Sequence, residues 1–409
     1  MFLLLACTAT VPSTEPPAGT ETPPDPVAQD TGLEQVPGVD KGTEGSVVFD
    51  DSVLHVLEIE IDNASWTSLS IDPRTYTDVD FVLSDGTELR IGARLKGNTQ
   101  FRAIDDKPSF VLDFNRYVED QHWDGLRSVY LHNMTYDPSN LHEHLAYLFF
   151  RQVGVPASRS SYATLTVNGQ DYGIYLLLEK QNGLFNERWF GQSKGGTWEA
   201  GSFNHPCDLD DEGCDCWELD EEGDGQALLD LCAAAQETDF IGATQDMLDW
   251  EQLITQFTAE MAIAHYDNYG WNINNYRVHH VPDTGRFHWT PWSTDLAFGW
   301  YPWESNPSCG SWGWIPADHS TGYLTERCWG DEACTELLYA GLLQRADELE
   351  EQDLVTVMQQ RLELIDEASA QDERSWYNEA QREGELQCME AWIEARPQWL
   401  RDWVELRGG

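Results

Sequence analysis

The sequence predicts an α+β protein of two lobes: a β-rich first lobe carrying one helix, a hinge with an acidic cysteine-bearing insert, and a largely helical second lobe. Three observations carry this. Apolar residues alternate with period two through much of 46–180, helical spacing dominates 241–409, and a stretch rich in Asp, Glu, Gly and Cys lies between them in 181–240.

In the first lobe, residues 54–61, 81–83 and 89–91 alternate as strands do, and Ser84-Asp85-Gly86-Thr87 supplies turn chemistry between the last two. A second hairpin joins 164–167 to 172–178 through Asn168-Gly169, residues that tolerate the positive φ of a two-residue turn. Residues 138–150 read as a helix, with Ser139 or Asn140 at its cap and Gly154 beyond its end. In the second lobe, 249–265, 335–349, 354–369 and 378–406 have helical spacing. Residues 275–279 and 286–289 form a strand pair about Pro282-Asp283-Thr284-Gly285.

Lys and Arg number 24 against 72 Asp and Glu, a formal charge of −48. Such a surface repels a phosphate backbone, which excludes nucleic acid as a partner. Hydrophobic residues make up 41% of the chain and include 18 Trp, enough for a large core and too many for a globally disordered chain. Residues 1–7 end in Leu5-Ala6-Cys7 and resemble a shortened bacterial lipobox without a basic leader, which implies acylation of Cys7. Residues 8–45, rich in Pro, Thr and acidic side chains, read as a disordered tether. The reading is an exported lipoprotein of the cell envelope, periplasmic or at the cell surface, touching the membrane only through that anchor. The eight other cysteines suit disulfides in an oxidising compartment. The acidic run from Cys207 to Gly225 reads as a disulfide-pinned loop, with Ca2+ binding through carboxylates as the lesser alternative.

The most informative segment is His265-Tyr266-Asp267, followed by Asn272, Asn274 and Asn275. His-x-Asp-x4-Asn is a phosphotransfer spacing in which the Asp orients a hydroxyl and the Asn holds a metal. Past a strand pair comes Thr294-Asp295-Leu296, an Asp at a strand end suited to a metal on bound phosphates. The aromatic stretch from Trp300 through Trp303, Trp312 and Trp314 reads first as core and second as a substrate platform.

Between Val56 and Gly299 the chain resembles the CotH kinases, a family named for a spore-coat protein. The resemblance is carried by Arg94-Leu95-Lys96-Gly97-Asn98-Thr99, Lys107-Pro108-Ser109-Phe110, Leu131-His132-Asn133, Val167–Tyr175, Asn274-Asn275-Tyr276 and Pro291-Trp292 ahead of Asp295. It implies an atypical protein-kinase-like bilobal fold, ATP with Mg2+ or Mn2+, and phosphoryl transfer to Ser or Thr of a surface or secreted protein. Catalytic roles fall on Asp267, Lys107 and Glu143, with Glu143 holding Lys107 on the phosphates. Lys96, Gly97 and Asn98 would cover the phosphates, Leu178 and Glu179 would meet the adenine, and Asn272, Asn275 and Asp295 would hold the metal, with Asn274 competing for that role. Two departures stand out: Val111 where many members carry a second basic residue, and Ser293 where a further carboxylate is usual. They keep open the rival reading of an inactive kinase-fold protein serving coat assembly or adhesion.

Overall fold

The computed structural model describes residues 44–199, 207–210, 214, 216–221, 223–302 and 320–408. The expected lipobox at Cys7 and the expected tether up to residue 43, part of the acidic insert, Cys309 and the tryptophans Trp303, Trp312 and Trp314 lie outside the described residues.

The first elements are β1 (Leu54–Glu60), α1 (Asn63–Ile71), β2 (Thr77–Leu83), β3 (Glu88–Lys96), β4 (Ser109–Asp113), β5 (Ser128–His132), α2 (His142–Gln152), β6 (Ser160–Val167) and β7 (Gln170–Glu179). The strands pair in the order β1-β2-β3-β4-β5-β7-β6. β6 then returns to β1 in parallel, from Leu54 opposite Tyr162 to Ile59 opposite Val167, and closes a seven-stranded barrel. The expected kinase-like bilobal fold is therefore corrected. The chain is α+β, but its first part is a closed barrel, because the β1–β6 ladder satisfies the backbone groups an open sheet leaves at its edges.

Alternation sorts the barrel side chains. Phe110, Leu112, Val129, Leu131, Tyr175 and Leu177 join Leu57, Ile59, Phe81 and Ile91 in the barrel core. Their neighbours Val111, Tyr130, Ile174, Leu176 and Leu178 join a second core built around α2. Every residue of α2 from His142 to Arg151 is buried. That core continues through Ala259 and Ile263 to Leu342, Ile365 and Trp392, so α2 is shared between the barrel and the later helices. Each fully buried Leu or Phe there contributes about 1.5–3 kcal/mol.

After the barrel come α3 (Gly183–Phe190), β8 (Thr197–Glu199), β9 (Glu218–Glu221), α4 (Gly225–Ala235), α5 (Phe240–Thr244), α6 (Trp250–Ala262), α7 (Tyr269–Asn272), β10 (Tyr276–Val281), β11 (Arg286–Pro291), α8 (Tyr323–Gly330), α9 (Glu332–Glu351), α10 (Leu354–Gln371) and α11 (Glu379–Arg407). A four-stranded sheet runs β11-β10-β8-β9. Asp249 caps α6 by accepting from the Gln252 amide, and Asn378 with Gln381 forms a capping box for α11. Cys207–Cys216, Cys214–Cys232 and Cys328–Cys334 are disulfides, which fits an exported or surface protein. Within the insert, the Asp208 carboxylate accepts from the Tyr269 hydroxyl at 2.9 Å and the Tyr323 amide at 2.7 Å, tying it to the start of α7. Among the described residues, no helix is long and apolar enough to cross a membrane.

One polar clamp fastens the later helices to the barrel. Asp372, after α10, is ion-paired with Lys107 and accepts from the Ile174 amide at 3.2 Å, with both charged side chains buried. Gly173 makes room for it. Its φ is +80°, and a Cβ added there would lie 2.2 Å from the Asp372 carboxyl carbon, so only glycine suits the position. Arg374 stacks on Tyr172 at 3.9 Å and donates to the Asp171 and Asp105 carbonyls, each at 2.9 Å.

Candidate active site

Five elements converge at one end of the barrel, and each delivers one group. Lys96 ends β3 and His132 ends β5. The Lys96 ammonium donates to His132 Nε2 at 2.5 Å, while His132 Nδ1 lies 2.9 Å and 3.0 Å from the two oxygens of Glu143, on α2. The ammonium also sits over the rings of Tyr130 at 4.7 Å and Trp292 at 4.9 Å. Burial draws Lys96 down to about 8, with the Glu143 charge pulling the other way. Burial pushes Glu143 up to about 8 against the pull of Lys96. Burial, reinforced by the Lys96 charge, holds His132 well below the usual imidazole range.

Asp295 and Asp267 come from two loops stitched together by backbone bonds. Tyr266 N donates to Leu296 O at 2.7 Å, Phe298 N to Ile263 O at 2.6 Å, and Trp292 N to Asn275 O at 2.9 Å. Asn268 caps α7, and Ile273 and Asn275 take left-handed φ values of 50° and 48°. The chain therefore curls around Asp267, which accepts from Asn272 at 3.1 Å, Asn274 at 3.0 Å and Asn275 at 2.7 Å. The three asparagines left open by sequence thus share one carboxylate. Asp295 is buried and accepts from Gln100 Nε2 at 2.5 Å and from the Ser293 hydroxyl at 3.2 Å. Burial, then the charge of Glu143, pushes Asp295 up to about 7, the Gln100 bond opposing and the Asp267 charge adding to the rise. Thr294 donates to the Glu143 carbonyl at 3.3 Å, and Ser293 N donates to the Tyr147 hydroxyl at 3.1 Å, so α2 holds the Asp295 loop directly.

The cluster thus has a cationic pole at Lys96 and an oxygen-rich pole at Asp267, Asp295 and the asparagine amides. Among the described residues, no three His, Cys, Asp or Glu side chains converge to hold a metal unaided. Magnesium does not ask for such a cage: it takes one or two carboxylates and completes its shell with water and phosphate oxygens. Two carboxylates beside side-chain amides and a hydroxyl are a donor set that fits that ion.

Other site expectations fall elsewhere. Lys107 is spent on Asp372, and Glu143 is held by His132, so the expected Lys107–Glu143 pair is not formed. The reason is register: Lys96 pairs with Ser109, and it is Lys96 that the strand end turns toward α2. Gly97 takes a φ of 107° where the chain leaves β3, and the Asn98 carbonyl accepts from Phe101 N at 3.1 Å; the loop they begin delivers Gln100 to Asp295. Leu178 is fully buried in the α2 core, and Glu179 is ion-paired with Arg159 and Arg188. β7 lies between β5 and β6, and Glu179 N donates to Arg159 O at 2.9 Å, so that strand offers adenine no free edge. His132 and Gln100 are the site groups that sequence reasoning missed. The Leu131-His132-Asn133 segment contained one of them, but nothing local marks Gln100.

Two curated proteins of Bacillus subtilis (strain 168) are similar to the chain. An inner spore coat protein H-like protein is 52% identical over 52 residues, covering 13% of this chain and 17% of its own length. Inner spore coat protein H is 22% identical over 213 residues, 47% of this chain and 57% of its own length. The chain thus matches less than two thirds of either relative. The family description "CotH kinase protein" matches residues 93–400, which include every group of the crevice. With that match spanning most of its length, the chain belongs to the CotH kinase protein family.

Proposed function

We propose that this protein is an ATP-dependent phosphotransferase acting on Ser or Thr hydroxyls of a surface or secreted protein. Family membership supports a CotH-like kinase function, and one observation carries the finer reading: Glu143 interacts both with Lys96 from the barrel and with Asp295 from the later loops, and Asp295 in turn with Asp267. Catalysis of phosphoryl transfer is chiefly positioning and neutralisation of charge. A bound Mg2+ or Mn2+ would supply charge neutralisation and Lewis acidity at the phosphates. Asp295, with Asn272 or Asn275, would hold it, and Lys96 would draw the α/β-phosphate oxygens. Asp267 would take the hydroxyl proton as the new O–P bond to the γ-phosphorus forms and the bond to the β,γ-bridging oxygen breaks. The relatives' names, which speak of the spore coat, together with the disulfides, support placement outside the cytoplasm; Cys7, closing the Leu5-Ala6-Cys7 run, would be the lipid anchor. The rival reading of a non-catalytic surface or coat protein has Ser293 in its favour, standing where a carboxylate is usual in the family.

The test is transfer of label from γ-labelled ATP with Mg2+ or Mn2+ to the full-length protein or an added Ser/Thr-rich protein. Lys96→Met is expected to lower transfer at least about a hundredfold with the thermal midpoint retained. Equal labelling in both proteins, or none in the wild type, rejects the phosphotransfer reading.

A further inference from the structure

The sequence segment Leu131-His132-Asn133 has a residue-by-residue explanation at the site. Leu131 packs in the barrel core. Asn133 fixes the end of β5, its backbone N–H donating to the Ser109 hydroxyl oxygen at 3.0 Å and its side-chain amide donating to the Lys107 carbonyl at 2.8 Å. His132, between them, stands edge-on to Trp292 with ring centres 5.7 Å apart.

Strand order sets His132 between the lysine and the carboxylate. β4 lies between β3 and β5, with Lys96 opposite Ser109 and Leu131 opposite Phe110. The structure reaches across with an imidazole, and the chemistry fixes its tautomer. An ammonium only donates, so His132 Nε2 must accept from Lys96, and Nδ1 must carry the proton given to Glu143. The ring is therefore neutral, since a proton on Nε2 would set two cations 2.5 Å apart.

Resting on the phosphotransfer reading above, we infer that His132 is a positioning residue that joins Lys96 to Glu143 across the site, aiming the lysine at bound phosphate in place of a direct lysine–carboxylate pair. The groups facing this chain are Arg94 on β3, Glu199 on β8, Arg277 on β10 and the Tyr130 ring, with Asp137 and Asp295 facing Glu143. Removing the acceptor at Nε2 destabilises the charged lysine without touching Asp267 or the asparagines.

Two readouts test this on the full-length protein. The first is the pH midpoint of Lys96 acetylation, followed by mass spectrometry without nucleotide. It is expected near 8 in the wild type and about one pH unit lower in His132→Leu. His132→Gln, whose amide oxygen can accept near the Nε2 position, is expected to restore most of the difference. The second is the KM for ATP, expected to rise about tenfold in His132→Leu with a smaller change in kcat, and the alkaline limb of kcat/KM should move down with the lysine midpoint. If His132→Leu does not fold, His132→Asn replaces it, keeping the donor toward Glu143 and losing the acceptor for Lys96. A Lys96 midpoint that stays at the wild-type value, or a His132→Gln protein as impaired as His132→Leu, overturns the inference. If the midpoint moves but the wild type transfers no label, the His132 link stands and the phosphotransfer reading falls.

Discussion

Asp295→Asn is expected to abolish phosphoryl transfer, by about a thousandfold or more, while making the protein more stable above neutral pH. Both halves follow from the same burial. The carboxylate is the buried member of the oxygen-rich pole, and an amide cannot bring a full negative charge to a cation. That charge is costly to the fold. Burial, with Glu143 next, raises its pKa to about 7. A carboxyl with a raised folded pKa binds its proton more tightly folded than unfolded. Its favourable contribution is present at acid pH and is lost as pH rises from the ordinary Asp value of 3.8 through about 7. Above that window wild type carries the whole deficit and the amide none, and the amide still has an oxygen to accept from Gln100. Thermal unfolding at pH 5 and pH 8 checks this: the gain of the variant over wild type should be larger at pH 8. A variant less stable at both values, or one that retains transfer, contradicts the assignment.

Lys107→Met is expected to do the reverse, lowering stability by about 3–5 kcal/mol and leaving phosphoryl transfer per folded molecule nearly intact. Breaking a buried ion pair from one side strands the other charge. Asp372 would keep its bonds from the Ile174 and Arg374 amides but lose its only cationic partner among the described residues. The double change Lys107→Met with Asp372→Leu removes the stranded charge and should recover part of the loss, with the rest set by the lost backbone bonds. Urea unfolding of the three proteins measures this. If Lys107→Met instead unfolds at the wild-type midpoint and has lost transfer, Lys107 belongs to the phosphate chemistry and Lys96 does not.

That opposition between two lysines shows where sequence reading stops. Local signals were legible because they are short-range: Asn168-Gly169 turns β6 into β7, Asp249 caps α6, and the Asp267–Asn272 spacing marks a loop whose side chains do meet. Lys96 and Lys107 look alike in sequence, each close to a strand terminus. Which one faces α2 is decided by the β3–β4 register, a property of pairing that no window along the chain contains. Barrel closure is non-local in the same way, since β1 meets β6 about a hundred residues on. α1 was missed for another reason: only Ser65 and Leu69 are buried, so no apolar stripe announces the helix. The Glu143 partner was missed because an imidazole that only bridges two charges has no motif of its own.

The closing of the barrel bears on how the protein can be shortened. The family match starts at Ala93, inside β3, so a piece trimmed to that boundary would lack β1, β2 and the first half of β3. What remains would present the flanks of the β3 remnant and of β6 as bare hydrogen-bonding rails, ready to zip onto a neighbouring molecule. It would also discard Arg90 and Ile91 and leave Lys96 at the end of a four-residue strand remnant that has lost its β2 partner. A fragment cut by likeness alone would therefore precipitate for reasons unrelated to its chemistry, and the shortest useful protein keeps the chain from Gly45 onward, with Val48 and Phe49 in the barrel core.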